Sequence, residues 1–179
     1  MQIFIETPRL LLREIIPEDA EGMFLLDSDA EVHRYLGNKP VTSVQQCREV
    51  IDFIRAQYVS NGIGRWAMVE KASGQFIGWC GLKLVKDTIN RHSDFYDLGY
   101  RLIRSYWGNG YASEAATACV HYAFHQMQLP MLYGMTAIDN SASRSVLLKA
   151  GLKYVESFMY ENEAHYWFEI SRLRFLSQQ

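Results

Sequence analysis

Two glycines one residue apart, Gly108 and Gly110, stand between an apolar run and a long helical pattern, in the stretch SYWGNGYASEAA over residues 105–116. Before them, Phe95 to Leu102 reads as a strand. After them, Ala112, Ala115, Ala116, Cys119, Ala123 and Met127 recur at helical spacing, so one stripe of that helix faces a core. A strand feeding a helix through a glycine turn sets the chain among mixed α/β architectures. Bare backbone at such a junction serves one of two needs: a turn with positive φ, or a ligand that touches the backbone itself. A phosphate suits the second, because the first N–H groups of a helix have no intrahelical partner and the helix dipole adds to their pull. Any side chain on Gly108 or Gly110 would hold the anion away. The turn does not match a dinucleotide fingerprint, whose third small position falls on Ser113, and no G-x-x-x-x-G-K-S/T string occurs.

The rest of the chain alternates in the same way. Leu10 to Ile15 reads as a first strand, and Pro17, Glu18 and Asp19 open a helix that runs through Met23 and Leu26 towards Ala30. Ser43 is an N-cap for a second helix, with Val50, Ile51, Ile54 and Tyr58 on one face and Gly62 near its end. Arg65 to Lys71 and Phe76 to Val85 form a hairpin around Ser73-Gly74, followed by a polar loop from Asp87 to Asp94. Beyond Pro130, Met131 to Ala137 is a fifth strand. Asp139-Asn140-Ser141 caps a short helix carrying Val146, Leu147 and Ala150 and ended by Gly151. Tyr154 to Met159 and Tyr166 to Ile170 close the chain as a pair of strands around Glu161-Asn162-Glu163.

With 179 residues, 49% of them apolar, and no linker or repeat, the expectation is a single domain over residues 1–179. A net charge of −2 without a basic run argues against a nucleic-acid surface. No apolar stretch is long enough for a bilayer, and Glu6 and Arg9 stand where a signal peptide needs an apolar core. Cys47, Cys80 and Cys119 are scattered, odd in number and without a CxxC pair, which suits reduced thiols and a cytoplasmic location. His121 and His125 lie four apart on a helix, but no Glu of an HExxH string and no third ligand accompanies them, so no metal is expected.

Four segments in order, IETPRLLLREIIPEDA (5–20), GQFIGWCGL (74–82), DLGYRLIRSYWGNGYASEA (97–115) and DNSASRSVLLKAGLKYVE (139–156), resemble the GNAT superfamily of N-acetyltransferases, in particular its ribosomal-protein N-terminal acetyltransferase-like branch. The resemblance covers roughly residues 5–172. It implies a mixed, mostly antiparallel twisted sheet of about six to seven strands with about four helices. It also implies a splay between the fourth and fifth strands counted above, Phe95 to Leu102 and Met131 to Ala137. The glycine turn then takes the place of the family's acyl-CoA loop, Q/R-x-x-G-x-G/A, with Ser105 at the Q/R position. By that resemblance Leu102, Ile103, Ser105, Trp107, Gly108, Asn109, Gly110, Tyr111 and Ala112 hold the pyrophosphate of acetyl-CoA, and Asn140 bonds the pantetheine arm.

Acetyl transfer to an amine needs a nitrogen lone pair, stabilisation of the developing oxyanion and a proton for the thiolate. The resemblance assigns the second to backbone N–H groups around Leu98 to Leu102 and the third to Ser143, since the tyrosine found four residues later in many relatives is Leu147 here. Asp97 stands where many relatives carry a glutamate, a position that some use as general base directly or through water; Glu161 and Glu163 are rivals for that role. A strong base is not required for every acceptor: an α-amine has a reference pKa of about 7.7–8.0, a lysine about 10.4. Residues 17–62, expected to cover the acceptor, hold eight acidic and four basic residues, a balance that suits a cationic amine. The expected partners are acetyl-CoA and an amine acceptor, either a protein N-terminus, a polyamine, an antibiotic amine or another small molecule, with homodimer formation left open. The alternative is a non-catalytic acyl-CoA-binding or sensing module on the same fold.

Overall fold

The computed structural model describes residues 2–178. Among them eight strands form one sheet: β1 (Ile3–Glu6), β2 (Leu10–Arg13), β3 (Arg65–Glu70), β4 (Phe76–Val85), β5 (Phe95–Leu102), β6 (Met131–Ala137), β7 (Lys153–Tyr160) and β8 (Glu163–Ser171), in the spatial order β1-β2-β3-β4-β5-β6-β8-β7. Every neighbouring pair is antiparallel except β5–β6. Six helices accompany the sheet: α1 (Ala20–Asp27), α2 (Ala30–His33), α3 (Val44–Asn61), α4 (Tyr111–His125), α5 (Ser141–Lys149) and α6 (Arg172–Leu176).

The expected mixed, mostly antiparallel sheet is present, with three elements more than the sequence pattern reveals. β1 is a four-residue edge strand, too short for alternation to stand out. α2 is split from α1 because the Asp29 carboxylate accepts a hydrogen bond from Glu31 N at 2.8 Å and starts a new turn. α6 is five residues long, capped by Ser171. Other local signals act as read. Ser43 Oγ accepts from Gln46 N while Gln46 Oε1 accepts from Ser43 N, a reciprocal cap for α3, and Gly62 ends that helix with φ of 70°.

The helices form two layers. Ala115, Cys119 and Phe124 of α4, with Leu147 of α5, close the main core against Leu82, Leu98, Leu132 and Phe168 of the sheet. On the opposite face, Met23 and Leu26 of α1 and Cys47, Ile51 and Ile54 of α3 pack with Ala67 of β3. All three cysteines are buried free thiols. No helix among the described residues is long and apolar enough to cross a membrane.

Candidate active site

The site begins where the sheet fails to close. β5 is held by β4 through eight residue pairs and β6 by β8 through seven, but β5 and β6 share only Asp97↔Tyr133. Two strands fixed to different neighbours and to each other at one point diverge beyond it, and a cleft of about 920 Å³ runs through the opening. Ile103 N–H bonds Ile77 O on the β4 side at 3.0 Å, and strand alternation then turns the N–H groups of Leu102 and Tyr100 towards the gap. The Leu102 carbonyl, on that same side, accepts from Trp107 Nε1 at 2.9 Å.

Gly108 and Gly110 stand at one end of the cleft, with φ of 77° and 80°, and Gly110 is the N-cap of α4 without any side-chain cap. A Cβ at Gly108 would meet nothing within 4 Å, and at Gly110 only Arg9 Nη2 at 3.5 Å. The space that glycine leaves there is not filled by protein, and the first N–H groups of a fifteen-residue helix face it. This arrangement fits a pyrophosphate. The turn is latched by residues outside the sequence expectation. Arg9 Nη1 donates to Asn109 O at 2.9 Å, Arg9 Nε pairs with Glu114 Oε2 at 2.6 Å, and the guanidinium lies 4.5 Å from the Tyr111 ring centroid. Burial pushes the Glu114 carboxyl up, but bonds from the Thr7 hydroxyl and from Arg9 outweigh it and hold the group below the usual carboxylate value. Thr7 and Arg9 lie in the first of the four family-like segments, which is the one signal by which the sequence marks them.

Across the cleft stands the start of α5. Asn140 Oδ1 caps the helix by accepting from Ser143 N at 3.0 Å, which leaves its amide N–H groups for a ligand carbonyl. Ser143 Oγ lies 2.9 Å and Ser143 O 2.8 Å from Tyr100 Oη, so the single phenol proton is shared between the two serine oxygens and the serine hydroxyl keeps its own. Burial pushes the Tyr100 phenol well above its usual pKa, opposed in part by the Ser143 bond, so Tyr100 stays neutral and orients Ser143 rather than giving up its proton. Tyr100 is a site residue that sequence reasoning passed over, because an aromatic in a strand reads as core. Leu147 is buried and packs under Gly134, where a Cβ would come 2.8 Å from its Cδ2.

Asp97 lines the acceptor side of the cleft, in a chain of charges. Its carboxylate is paired with Arg65 Nη2, and Arg65 Nη1 donates to Asp97 O at 2.7 Å. Arg65 reaches it by lying over Gly99, where a Cβ would come within 2.5 Å of the guanidinium. The Arg65 and Arg101 guanidiniums lie 5.5 and 5.1 Å from the Trp79 ring, and Arg101 Nη1 pairs with Asp27 Oδ1 at 2.6 Å. Glu161 and Glu163, at the tight turn between β7 and β8, reach the same cleft.

Of the other expected residues, Leu102, Trp107, Gly108, Gly110, Tyr111 and Ala112 line the cleft, as do Asn140 and Ser143. Ile103, Ser105 and Asn109 do not: Ile103 is buried in the core under α1 and α3, Ser105 is exposed on a single turn of 3-10 helix, and Asn109 is exposed with its amide folded back onto Tyr106 O and Trp107 O and its own carbonyl on Arg9. His121 and His125 flank Phe175, and no group of three or more metal-ligating side chains occurs among the described residues.

Residues 9–153 match the family model described as Acetyltransferase (GNAT) domain. The chain belongs to the GNAT acetyltransferase family. It is 32% identical over 165 residues to the uncharacterized N-acetyltransferase YoaA of Bacillus subtilis (strain 168), covering 90% of this chain and 91% of that protein. It is 34% identical over 158 residues to the FsC-acetyl coenzyme A-N(2)-transacetylase of Aspergillus fumigatus, covering 86% of this chain and 66% of that one. Among solved structures, the RimL ribosomal L7/L12 alpha-N-protein acetyltransferase in complex with coenzyme A superposes with a TM-score of 0.79 at 16% identity, over 95% of this chain and 98% of that one. GNAT acetyltransferases use acetyl-CoA, and this chain is an acyltransferase that moves an acetyl group to an amine.

Proposed function

We propose that the enzyme acetylates an amine of low pKa, foremost a peptide N-terminus, by direct attack in a ternary complex within the β5–β6 gap. The observation that carries this reading is the state of Asp97. One of its carboxylate oxygens is held by Arg65 in a pair whose side chains are 12–13% exposed, so the carboxylate is engaged in a structural ion pair rather than free to turn towards a lysine-type amine. An α-amine is partly neutral near pH 7 and needs less help.

The chain's own residues divide the work. The turn from Gly108 to Ala112 binds the anionic end of the cosubstrate, which supplies the acetyl thioester. The Tyr100 and Leu102 N–H groups face the position where negative charge develops on the carbonyl oxygen. Ser143 Oγ, oriented by Tyr100, offers a hydrogen bond to the departing sulfur. The continuous sheet supports one catalytic domain over residues 1–179, and three buried reduced thiols support a cytoplasmic setting.

Mass spectrometry of a peptide panel tests the acceptor class: free N-terminus with blocked lysine, blocked N-terminus with free lysine, and a polyamine. The acetyl mark is expected on the free α-amine. A preference for the lysine peptide would overturn this reading.

A further inference from the structure

A proton must leave the attacking nitrogen, and with Asp97 engaged by Arg65 the cleft needs another acceptor. We propose that His165, on β8, is that base, through its Nε2. The assignment rests on acetyl transfer occurring in this cleft.

His165 lines the cleft although it is only 9% exposed. Its Nδ1 lies 3.1 Å from Glu163 O. A carbonyl oxygen can only accept, so Nδ1 carries the hydrogen, and in the neutral ring Nε2 is left with a lone pair. Nε2 bonds to no protein group among the described residues and is not among the buried polar atoms left without partners. The ring is thus fixed at one nitrogen and open at the other, the arrangement a general base requires.

Strand register puts that nitrogen on the right face. Asp97 pairs with Tyr133, Met135 with Trp167 and Ala137 with His165, and side chains of directly opposed residues share a face of a sheet. His165 therefore stands on the Asp97 face, where the acceptor enters, and across the sheet from α4. Aromatic walls hold it: Tyr160 is edge-on at 5.6 Å and Phe158 tilted at 6.1 Å. The titratable and charged groups that line the cleft with it are Tyr160 of β7, Glu161 and Glu163 at the turn, Asp97 with its partner Arg65 and Arg101 with its partner Asp27 on the β5 side, Lys149 of α5, and Glu31 of α2 with Arg34 just beyond it. Burial first, then Glu161 and Asp97, push the Tyr160 phenol up, so Tyr160 does not compete as a base.

The step balances without a further reactant. The amine lone pair forms the N–C bond, and the nitrogen gives one proton to Nε2. The C–S bond breaks, its electron pair leaves on sulfur, and the thiolate takes a proton from solvent beside Ser143 Oγ. The imidazolium then returns its proton to solvent. Imidazole is the side chain that ordinarily changes charge between about pH 5 and 8.

The test is His165→Asn, because the asparagine amide can keep the Nδ1-like bond to Glu163 O while removing Nε2. With an N-terminal peptide as acceptor, kcat is expected to fall by about 100-fold or more, within the range of general-base catalysis. KM for acetyl-CoA should stay within about twofold, the acidic limb of the kcat profile should vanish, and added imidazole should restore part of the rate. Retention of at least half of kcat with an unchanged pH profile would overturn the assignment. If the variant loses its fold, by melting and coenzyme A titration, 15N chemical shifts of wild-type His165 decide: an Nδ1-protonated ring sustains it and an Nε2-protonated ring refutes it. Wild-type protein that acetylates no amine marks a different failure, that of the transfer reading itself, and the base assignment falls with it.

Discussion

Replacing Gly110 by valine separates the two needs that bare backbone can serve. The native φ of 80° lies in the left-handed region, which a residue with a Cβ enters at a cost of about 1–2 kcal/mol, more when it is β-branched. Sterically the fold has room, since only Arg9 Nη2 lies within 4 Å of the new Cβ. The stability loss should therefore stay near about 2–3 kcal/mol, or roughly 4–12 °C in Tm at about 2–4 °C per kcal/mol for a chain of this size. Binding loses more. The isopropyl group fills the space in front of the α4 N-terminus, and a hydrogen bond to a charged group contributes about 1.5–3 kcal/mol. Losing one or two of them raises the Kd for coenzyme A by about 10- to 20,000-fold, with about 500-fold as the central expectation. Isothermal titration of folded Gly110→Val, with melting as the control, reads both quantities. An unchanged Kd would refute the phosphate role and leave the glycines as parts of an ordinary turn.

Ser143→Ala should lower kcat more than it changes KM for acetyl-CoA, because the hydroxyl acts as charge develops on sulfur. Tyr100→Phe should lower kcat in the same sense, and the double variant should lose less than the product of the two; steady-state kinetics of all four proteins reads the coupling. Asp97→Asn should cost about tenfold in rate or less, while leaving Arg65 short of a charge-assisted bond and lowering stability by about 1.5–3 kcal/mol in a melting experiment. Glu114 is held below its usual pKa, so the Arg9 latch is intact at neutral pH and is lost as pH falls through the lowered value. Titration of coenzyme A should show Glu114→Gln weakened at pH 7, with wild type weakening only in acid.

Much of the layout was legible because it rests on local chemistry: the Ser43 and Gly62 caps, the alternation of β4 and β5, and the Gly108–Gly110 junction each act through their own residues. The splay was not legible from periodicity. It arises because β5 is committed to β4 and β6 to β8, which is a property of pairing and not of any one strand. Strand alternation did not mark Tyr100 as more than a core aromatic, and only its distance to Ser143 gives it a role. His165 fell between the turn Glu161-Asn162-Glu163 and the strand expected from Tyr166, where nothing singled it out, and the bond from Nδ1 to Glu163 O is what frees its other nitrogen. Asp97 was correctly placed on the cleft, but its partner Arg65 is thirty-two residues away and reaches it only because Gly99 has no side chain.

Thiol release from acetyl-CoA, followed continuously with and without an N-terminal peptide, tests acetyl transfer most directly. Release that requires both protein and a free α-amine, with one acetyl group found on the peptide for each thiol released, is the expected result. Tight coenzyme A binding with no release for any amine in the panel would contradict it, and would make the fold a binding module that holds the cosubstrate without reacting it.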